Sequence, residues 1–265
     1  TASGDYNLVQ FDDEADLSYG NQKRKPSERQ DNMLFYFLQV IKEPARLAGT
    51  ILLVHEFADQ VKQPRKAWTY NPGQRRVLRA PNVAYDSPGQ GADGLRTTDD
   101  YDGFNGAPDR YDWKLVGKKG MLLPYNSNKI GSKAVKFKDM AKPKHLNQDL
   151  PRYEKHRYWV VEANVKAGTN HTFKRRVFYV DEDSWDIEAV EDYDGKGQLY
   201  QFQEGHLVFA SNVQSASGVP EVIYHFTSGR YFITAAANED KPNDFTVNYP
   251  DSKFDSASVQ KSTTK

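Results

Sequence analysis

"FKRRVFYVDEDSWDIEAVEDYDGKGQLYQFQEGHLVF" (Phe173 to Phe209) decides how the rest of the chain is read. Three runs rich in β-branched and aromatic residues, "FKRRVFYV", "WDIEAVEDY" and "QLYQFQEGHLVF", are separated by the four-residue links "DEDS" and "DGKG". Such runs are strands, and links this short permit only antiparallel hairpins. Asp194-Gly195 supplies the turn chemistry of a tight hairpin.

The same pattern extends in both directions. Downstream lie "PEVIYHFT" (Pro220 to Thr227) and "RYFITAA" (Arg230 to Ala236), joined across Ser228-Gly229. Upstream lie "KHRYWVVEANV" (Lys155 to Val165), "WKLVGKKGMLLPY" (Trp113 to Tyr125), "RRVLRA" (Arg75 to Ala80), "KAWTY" (Lys66 to Tyr70), "TILLVHEF" (Thr50 to Phe57), "MLFYFLQVI" (Met33 to Ile41) and "YNLVQF" (Tyr6 to Phe11). Pro72 and Gly73 suit the central positions of a type II turn between two of them. This predicts about eleven strands in sequential antiparallel order. Residues 126–152 read as a loop, and "DSKFDSASVQK" (Asp251 to Lys261) as a short helix.

The 265 residues include 16 Tyr, 14 Phe and 4 Trp, enough ring surface for a packed interior despite a mean hydropathy of -0.81. Lys+Arg and Asp+Glu both number 36, so the basic excess of a nucleic-acid binder is missing. "KRKPSER" (Lys23 to Arg29) reads as a solvated basic loop. Without Cys there is no disulfide, thiolate nucleophile or Cys-based zinc site. No apolar run approaches the roughly 18 residues of a membrane-spanning helix. The chain starts "TASGDYNLVQF", without an initiator Met or secretory signal. We therefore expect a single β-rich domain over 1–265, an N-terminally incomplete fragment of a longer precursor.

Two stretches have the look of sites. "GQGADG" (Gly89 to Gly94) matches G-x-G-x-x-G, but Pro88 breaks the strand before it and no amphipathic helix follows. A pyrophosphate would find no helix N-terminus there, so it reads as a loop. "DDYDGFNGAPDRYDW" (Asp99 to Trp113) fails the EF-hand spacing, because position 5 from Asp100 is Phe104 and position 12 is Tyr111. Its Asp, Asn, Gly and Pro residues are turn formers. An irregular cation site on Asp99, Asp100 and Asp102 stays open. The six histidines (His55, His145, His156, His171, His206 and His225) show neither H-x-H nor H-E-x-x-H spacing and read as structural. No G-x-S-x-G elbow occurs, and no catalytic residue, metal or cofactor is assigned.

Several strands are apolar on both sides. In 156–165, Trp159, Val161, Ala163 and Val165 alternate with Tyr158 and Val160. A sheet wet on one face alternates apolar with polar residues. Two readings follow: both faces are covered, or one lines an apolar cavity, as curled antiparallel sheets can.

"FYFLQVIKEPARLAGTILLVHE", "AWTYNPGQRRVLRAPNVAYDSPGQGADGLRTTDDYDGFNGAPDRYDWKLVGKKGMLLPYN" and "RRVFYVDEDSWDIEAVEDYDGKGQLY" together resemble a family of Gram-negative outer-membrane lipoprotein-sorting-like envelope proteins of unknown function, related to the LolA/LolB lipoprotein carriers. The resemblance spans nearly the whole chain, which looks like the C-terminal two-thirds of a member. It implies a half-open antiparallel β-barrel of about eleven strands with few short helices around an apolar cavity. It also implies a periplasmic location, a signal peptide in the precursor, and a lipid or other hydrophobic small molecule as ligand. An RND-type transporter and an outer-membrane protein are the implied partners. The family has no catalytic motif, so none carries over.

Under this reading the protein is a non-enzymatic carrier. Alternation assigns the cavity lining to Leu52, Val54, Trp68, Tyr70, Trp159, Val161, Val165, Phe178 and Val180, each subject to a one-residue slip of its strand. The loop signature Asp99, Asp100, Asp102, Asn105, Asp109, Arg110 and Trp113 would fix the barrel rim, through an Asp109–Arg110 ion-pair network, or meet a partner. An adaptor docked through the long loops at 81–112 and 126–152 is the rival reading. A hydrolase is the remote one, because it requires His, Asp and Ser or a metal to converge in space.

Overall fold

The computed structural model describes residues 3–20, 32–80, 83 and 85–261. The basic run at 23–29 lies outside them. Twelve strands in sequential antiparallel order make two sheets. The five-stranded sheet contains β1 (Gln10–Asp16), β2 (Met33–Glu43), β3 (Ile51–Phe57), β4 (Lys66–Asn71) and β5 (Arg76–Arg79). The seven-stranded sheet runs from β6 (Tyr111–Pro124) through β7 (Tyr153–Val165), β8 (Arg175–Asp181), β9 (Ile187–Tyr193), β10 (Leu199–Ala210) and β11 (Ser215–His225) to β12 (Arg230–Thr234). The sheets are open, not closed into one barrel. Among the described residues the α-helices are α1 (Phe137–Met140) and α2 (Ser256–Lys261), and no helix is long and apolar enough to cross a membrane.

The chain divides into two compact units. One holds Asn7–Ser87, Gly106–Pro108 and Thr246–Lys265, and the other Thr1–Tyr6, Pro88–Asn105 and Asp109–Phe245. In the first unit, Leu53 pairs with Leu38 and Trp68, and Ile51 pairs with Val40 and Tyr70. Paired residues project to the same face. Phe254 and Val259 of the C-terminal segment complete a core on that face with Tyr36, Leu38, Ile51, Leu53 and Tyr70. Phe254 stacks on Tyr36 with centroids 5.4 Å apart, and its carbonyl accepts a bond from the His55 Nε2, 2.8 Å away. Covering a ring of this size contributes about 1.5–3 kcal/mol.

In the second unit apolar residues cluster on both faces of the sheet, which accounts for its two-sided apolar strands, and the cover over one face is partial. Tyr111, Ala163, Phe178 and Val190 cluster on one face, with Phe104 of the 88–105 segment against them. Leu123, Tyr158, Val177, Tyr179 and Ala189 cluster on the other. Residues 126–152 are not a bare loop. Ile130, Val135, Met140, Leu146 and Leu150 form a small core with Val222. Their irregular spacing gives no helical or strand period, so periodicity misses a loop packed by its own side chains.

Three local expectations are corrected. The first strand is Gln10–Asp16, not Tyr6–Phe11, because pairing with β2 and not alternation sets its position. Its acidic residues suit a sheet edge. The Pro72-Gly73 turn is not type II, since Gly73 is absent from the positive-φ residues and Arg75 takes φ 52 instead. Asn71 Oδ1 accepts the Gly73 N–H at 2.8 Å, giving a four-residue loop. The strand expected to begin at Pro220 begins at Ser215, with Pro220 inside it. Proline cannot donate to the ladder, and the register shifts there between Gly205 and Leu207, so the bulge accommodates it.

Candidate functional site

The signature loop folds onto the seven-stranded sheet because it carries its own ties. Thr97 Oγ1 donates to Asp99 Oδ1 at 2.6 Å, the Thr97 N–H to Asp100 Oδ2 at 2.9 Å, and the Asn105 N–H to the Asp99 carbonyl at 2.9 Å. The chain then reverses through left-handed Asp102 (φ 49) and Gly103 (φ 75). A Cβ on Gly103 would stand 2.6 Å from Ile187 Cγ2, so only glycine fits there.

These ties bring Asp99 and Asp100 onto the fully buried Arg176. Arg176 donates Nε to Asp192 Oδ1 at 2.7 Å, Nη2 to Asp100 Oδ1 at 2.8 Å and Nη1 to Asp99 Oδ2 at 3.4 Å. His171 Nε2 lies 2.9 Å from Asp99 Oδ2. The Gln201 and Gln203 amides donate to Asp100 and Asp192 at 2.8–3.2 Å. Burial opposes the charge on Arg176, but Asp192, Asp100 and Asp99 outweigh it and raise its pKa. Burial also works against Asp99, yet the His171 bond and the Arg176 charge pull its pKa below the usual value. At Asp192 burial prevails and the pKa rises. A guanidinium, not a metal ion, therefore occupies the centre of this cluster. Asp102 is exposed and stands apart, so the irregular cation site of three aspartates does not form.

The other signature residues lie around this core. Asp109 and Arg110 sit just before β6, where Lys166 Nζ donates to the Asp109 carbonyl and Arg110 Nη1 to the Asn170 carbonyl. Trp113, 38% exposed, meets Phe104 and Phe178 edge-on or tilted at 5.2 and 5.5 Å. Sequence reasoning missed Arg176, Asp192, His171, Gln201 and Gln203. One signal was available: Arg176 shares its alternation face with Phe178 and Val180, so a charge stands at an inward position.

The nine apolar residues assigned to one lining fall into three groups. Trp68 and Tyr70 face the C-terminal segment in the five-stranded sheet. Leu52 and Val54 pair with Thr69 and Ala67 and so project from the opposite face of that sheet. Joining the four in one lining is thus corrected, because strand register puts alternate residues on opposite faces. The remaining five belong together. Trp159 pairs with Val180 and Val161 with Phe178, and Val165 lies on the same face of β7. Phe178 is buried under Phe104, while Trp159, Val161, Val165 and Val180 are half-buried. Leu115, paired with Val161, extends this apolar strip to the sheet edge and is 62% exposed. Lys118 Nζ lies 4.3 Å from the Trp159 ring and places a cation at the strip's border.

Comparison with known proteins agrees with this architecture. The fold matches a putative outer membrane lipoprotein-sorting protein domain from Vibrio parahaemolyticus with TM-score 0.56 at 13% identity, over 86% of this chain and 81% of that one. It matches a DUF1329 family protein from Desulfovibrio piger with TM-score 0.55 at 17% identity, over 85% and 77%. An uncharacterized protein of Pseudomonas aeruginosa is 47% identical over 253 residues, which are 96% of this chain but 55% of the relative, so the chain spans about half that protein's length. With the family model matching residues 1–261, the chain belongs to the DUF1329 family of proteins of unknown function.

Proposed function

We propose that this chain is the ligand-bearing part of a periplasmic carrier of the Gram-negative envelope, one that withdraws a lipid or other apolar molecule from water without catalysing a reaction. One observation carries the reading: the open apolar strip of Leu115, Trp159, Val161, Val165 and Val180 on the seven-stranded sheet, bordered by Lys118. Each methylene of an acyl chain laid on it would contribute about 0.8 kcal/mol. The lipoprotein-sorting description of the Vibrio domain fits such a task.

The test is an organic extraction of the purified protein followed by mass spectrometry, together with titration of a fluorescent fatty acid. We expect a co-purifying apolar molecule, saturable binding, and at least tenfold weaker binding in Val161→Asp with the fold retained. Absence of both a co-purifying molecule and saturable binding overturns the reading.

A second reading, an adaptor for an RND-type transporter and an outer-membrane protein, is favoured by β6. This strand is fourteen residues long, lies at the sheet edge, and exposes Leu115, Val116 and Leu122 at 57–64%. Such an edge suits strand addition by a partner. A complex that survives Val161→Asp but fails when β6 carries a proline would support it.

A further inference from the structure

A second polar cluster lies where β7 begins and β8 ends. His156 is on β7, Asp181 closes β8, and Asp183 lies in the turn that follows. The His156 Nδ1, one Asp181 oxygen and one Asp183 oxygen all lie within 4.8 Å of one another. Nδ1 stands 3.8 Å from Asp181 Oδ1 and 4.0 Å from Asp183 Oδ2. Both separations are too long for hydrogen bonds. They are within the span of two donors that share one ion at about 2.0–2.2 Å each.

The ring is already set for this role. The His156 Nε2 faces Glu154 Oε2 at 3.5 Å, and Tyr125 stacks on the imidazole at 3.8 Å. With the proton on Nε2, the Nδ1 lone pair points at two carboxylates. A carboxylate behind the distal nitrogen is the usual outer support of a metal-binding imidazole. Asp181 Oδ2 is held by the Ser184 and Asp183 N–H groups at 2.8 and 3.3 Å, which fixes the direction of Oδ1.

Independent of this geometry, the buried carboxylates here have no cationic partner among the described residues. Asp181 is fully buried, yet its Oδ1 has no hydrogen-bond partner. Both carboxylate oxygens of Glu188, 1% exposed, and the hydroxyl of fully buried Tyr158 are in the same condition and feel the Asp181 charge. Among the described residues no Lys or Arg pairs with Asp181 or Asp183, because Lys118 and Arg157 are both engaged by Glu182. Buried carboxylates are found paired or bound to metal. Arg176 supplies the cation for the aspartates of the signature loop, and among the described residues no Lys or Arg does so here.

We propose that His156 Nδ1, Asp181 Oδ1 and Asp183 Oδ2 bind a divalent transition-metal ion of the zinc or manganese type, with water completing its shell. One imidazole and two carboxylates suit such an ion better than calcium, which takes 6–8 oxygens, or magnesium, which keeps most of its water. Three protein ligands with an exposed Asp183 leave a coordination position open to a further donor. The site does not depend on the carrier reading.

The test is isothermal titration of chelator-treated full chain with Zn²⁺, Mn²⁺, Ca²⁺ and Mg²⁺ separately, with Co²⁺ absorption reporting the ligand field. We expect one zinc or manganese ion per chain, with calcium and magnesium at least tenfold weaker. Asp183→Asn leaves the buried residues untouched and keeps the fold; it and His156→Gln should each weaken binding at least tenfold. Absence of saturable binding overturns the proposal, as does binding that both variants leave unchanged.

Discussion

Replacing Arg176 with Met tests whether the buried cluster is held by charge. The variant keeps much of the side-chain volume but removes the bonds to Asp192 at 2.7 Å, Asp100 at 2.8 Å and Asp99 at 3.4 Å. Three carboxylates, each no more than 1% exposed, then face one another with neutral donors from Thr97 and the two glutamine amides, and His171, as their partners. Removing one member of a buried ion pair costs about 3–5 kcal/mol, chiefly through the uncompensated charge left behind. Spread over a chain of this size, that is a fall in Tm of roughly 10 °C. Urea unfolding followed by circular dichroism measures the loss. Adding Asp100→Asn and Asp192→Asn to Arg176→Met removes two of the three stranded charges, leaving Asp99 with His171, and should recover about 2 kcal/mol, whereas Arg176→Lys should rescue little because it cannot fork between the aspartates. A loss below about 1 kcal/mol for Arg176→Met, or no recovery in the triple variant, would refute the charge argument.

Glu204 and Gly103 offer two more tests. Burial pushes Glu204 from 4.5 up to about 7, against a bond from the Tyr224 hydroxyl. Its folded pKa lies above its unfolded one, so the stability it contributes is present below pH 4.5 and lost as pH rises through about 7. Relative to the parent, Glu204→Gln should therefore gain up to about 3 kcal/mol between pH 4.5 and 8, seen in chemical unfolding at each pH, and a pH-independent difference would count against it. Gly103→Ala combines a left-handed φ of 75 with a 2.6 Å approach to Ile187 and should cost at least about 2 kcal/mol, where an unchanged Tm would show that the reversal yields freely.

Composition and alternation were enough to read most of the strands, because hairpin links such as "DGKG" leave no other connection possible, but they misplaced the first, whose position its pairing with β2 sets. What they could not supply was partnership. Asp99 and Asp100 read as turn residues or an irregular cation site, since turn chemistry and burial leave the same letters in a sequence. Only the fold shows that Arg176, 77 residues away, stands opposite them. Alternation within each strand puts Leu52 and Trp68 in one lining, but only the register between strands decides which faces coincide, and it separates them. His156 read as structural with the others. Its neighbours Asp181 and Asp183 approach only after β7 and β8 pair.

Arg176 also answers a problem that the apolar strands create. A strand with polar residues on one side can slip by one position only by turning its charges inward, so its pattern enforces its register. The run Val177-Phe178-Tyr179-Val180 has no such guard, for either side of it is acceptable to a covered sheet. A slip of one residue would carry the guanidinium to the far face, away from Asp99, Asp100 and Asp192 together. The charge thus acts as a key for β8: it makes one alignment of an otherwise ambiguous strand far better than its neighbours, and β9 and β10 inherit that alignment through Asp192, Gln201 and Gln203.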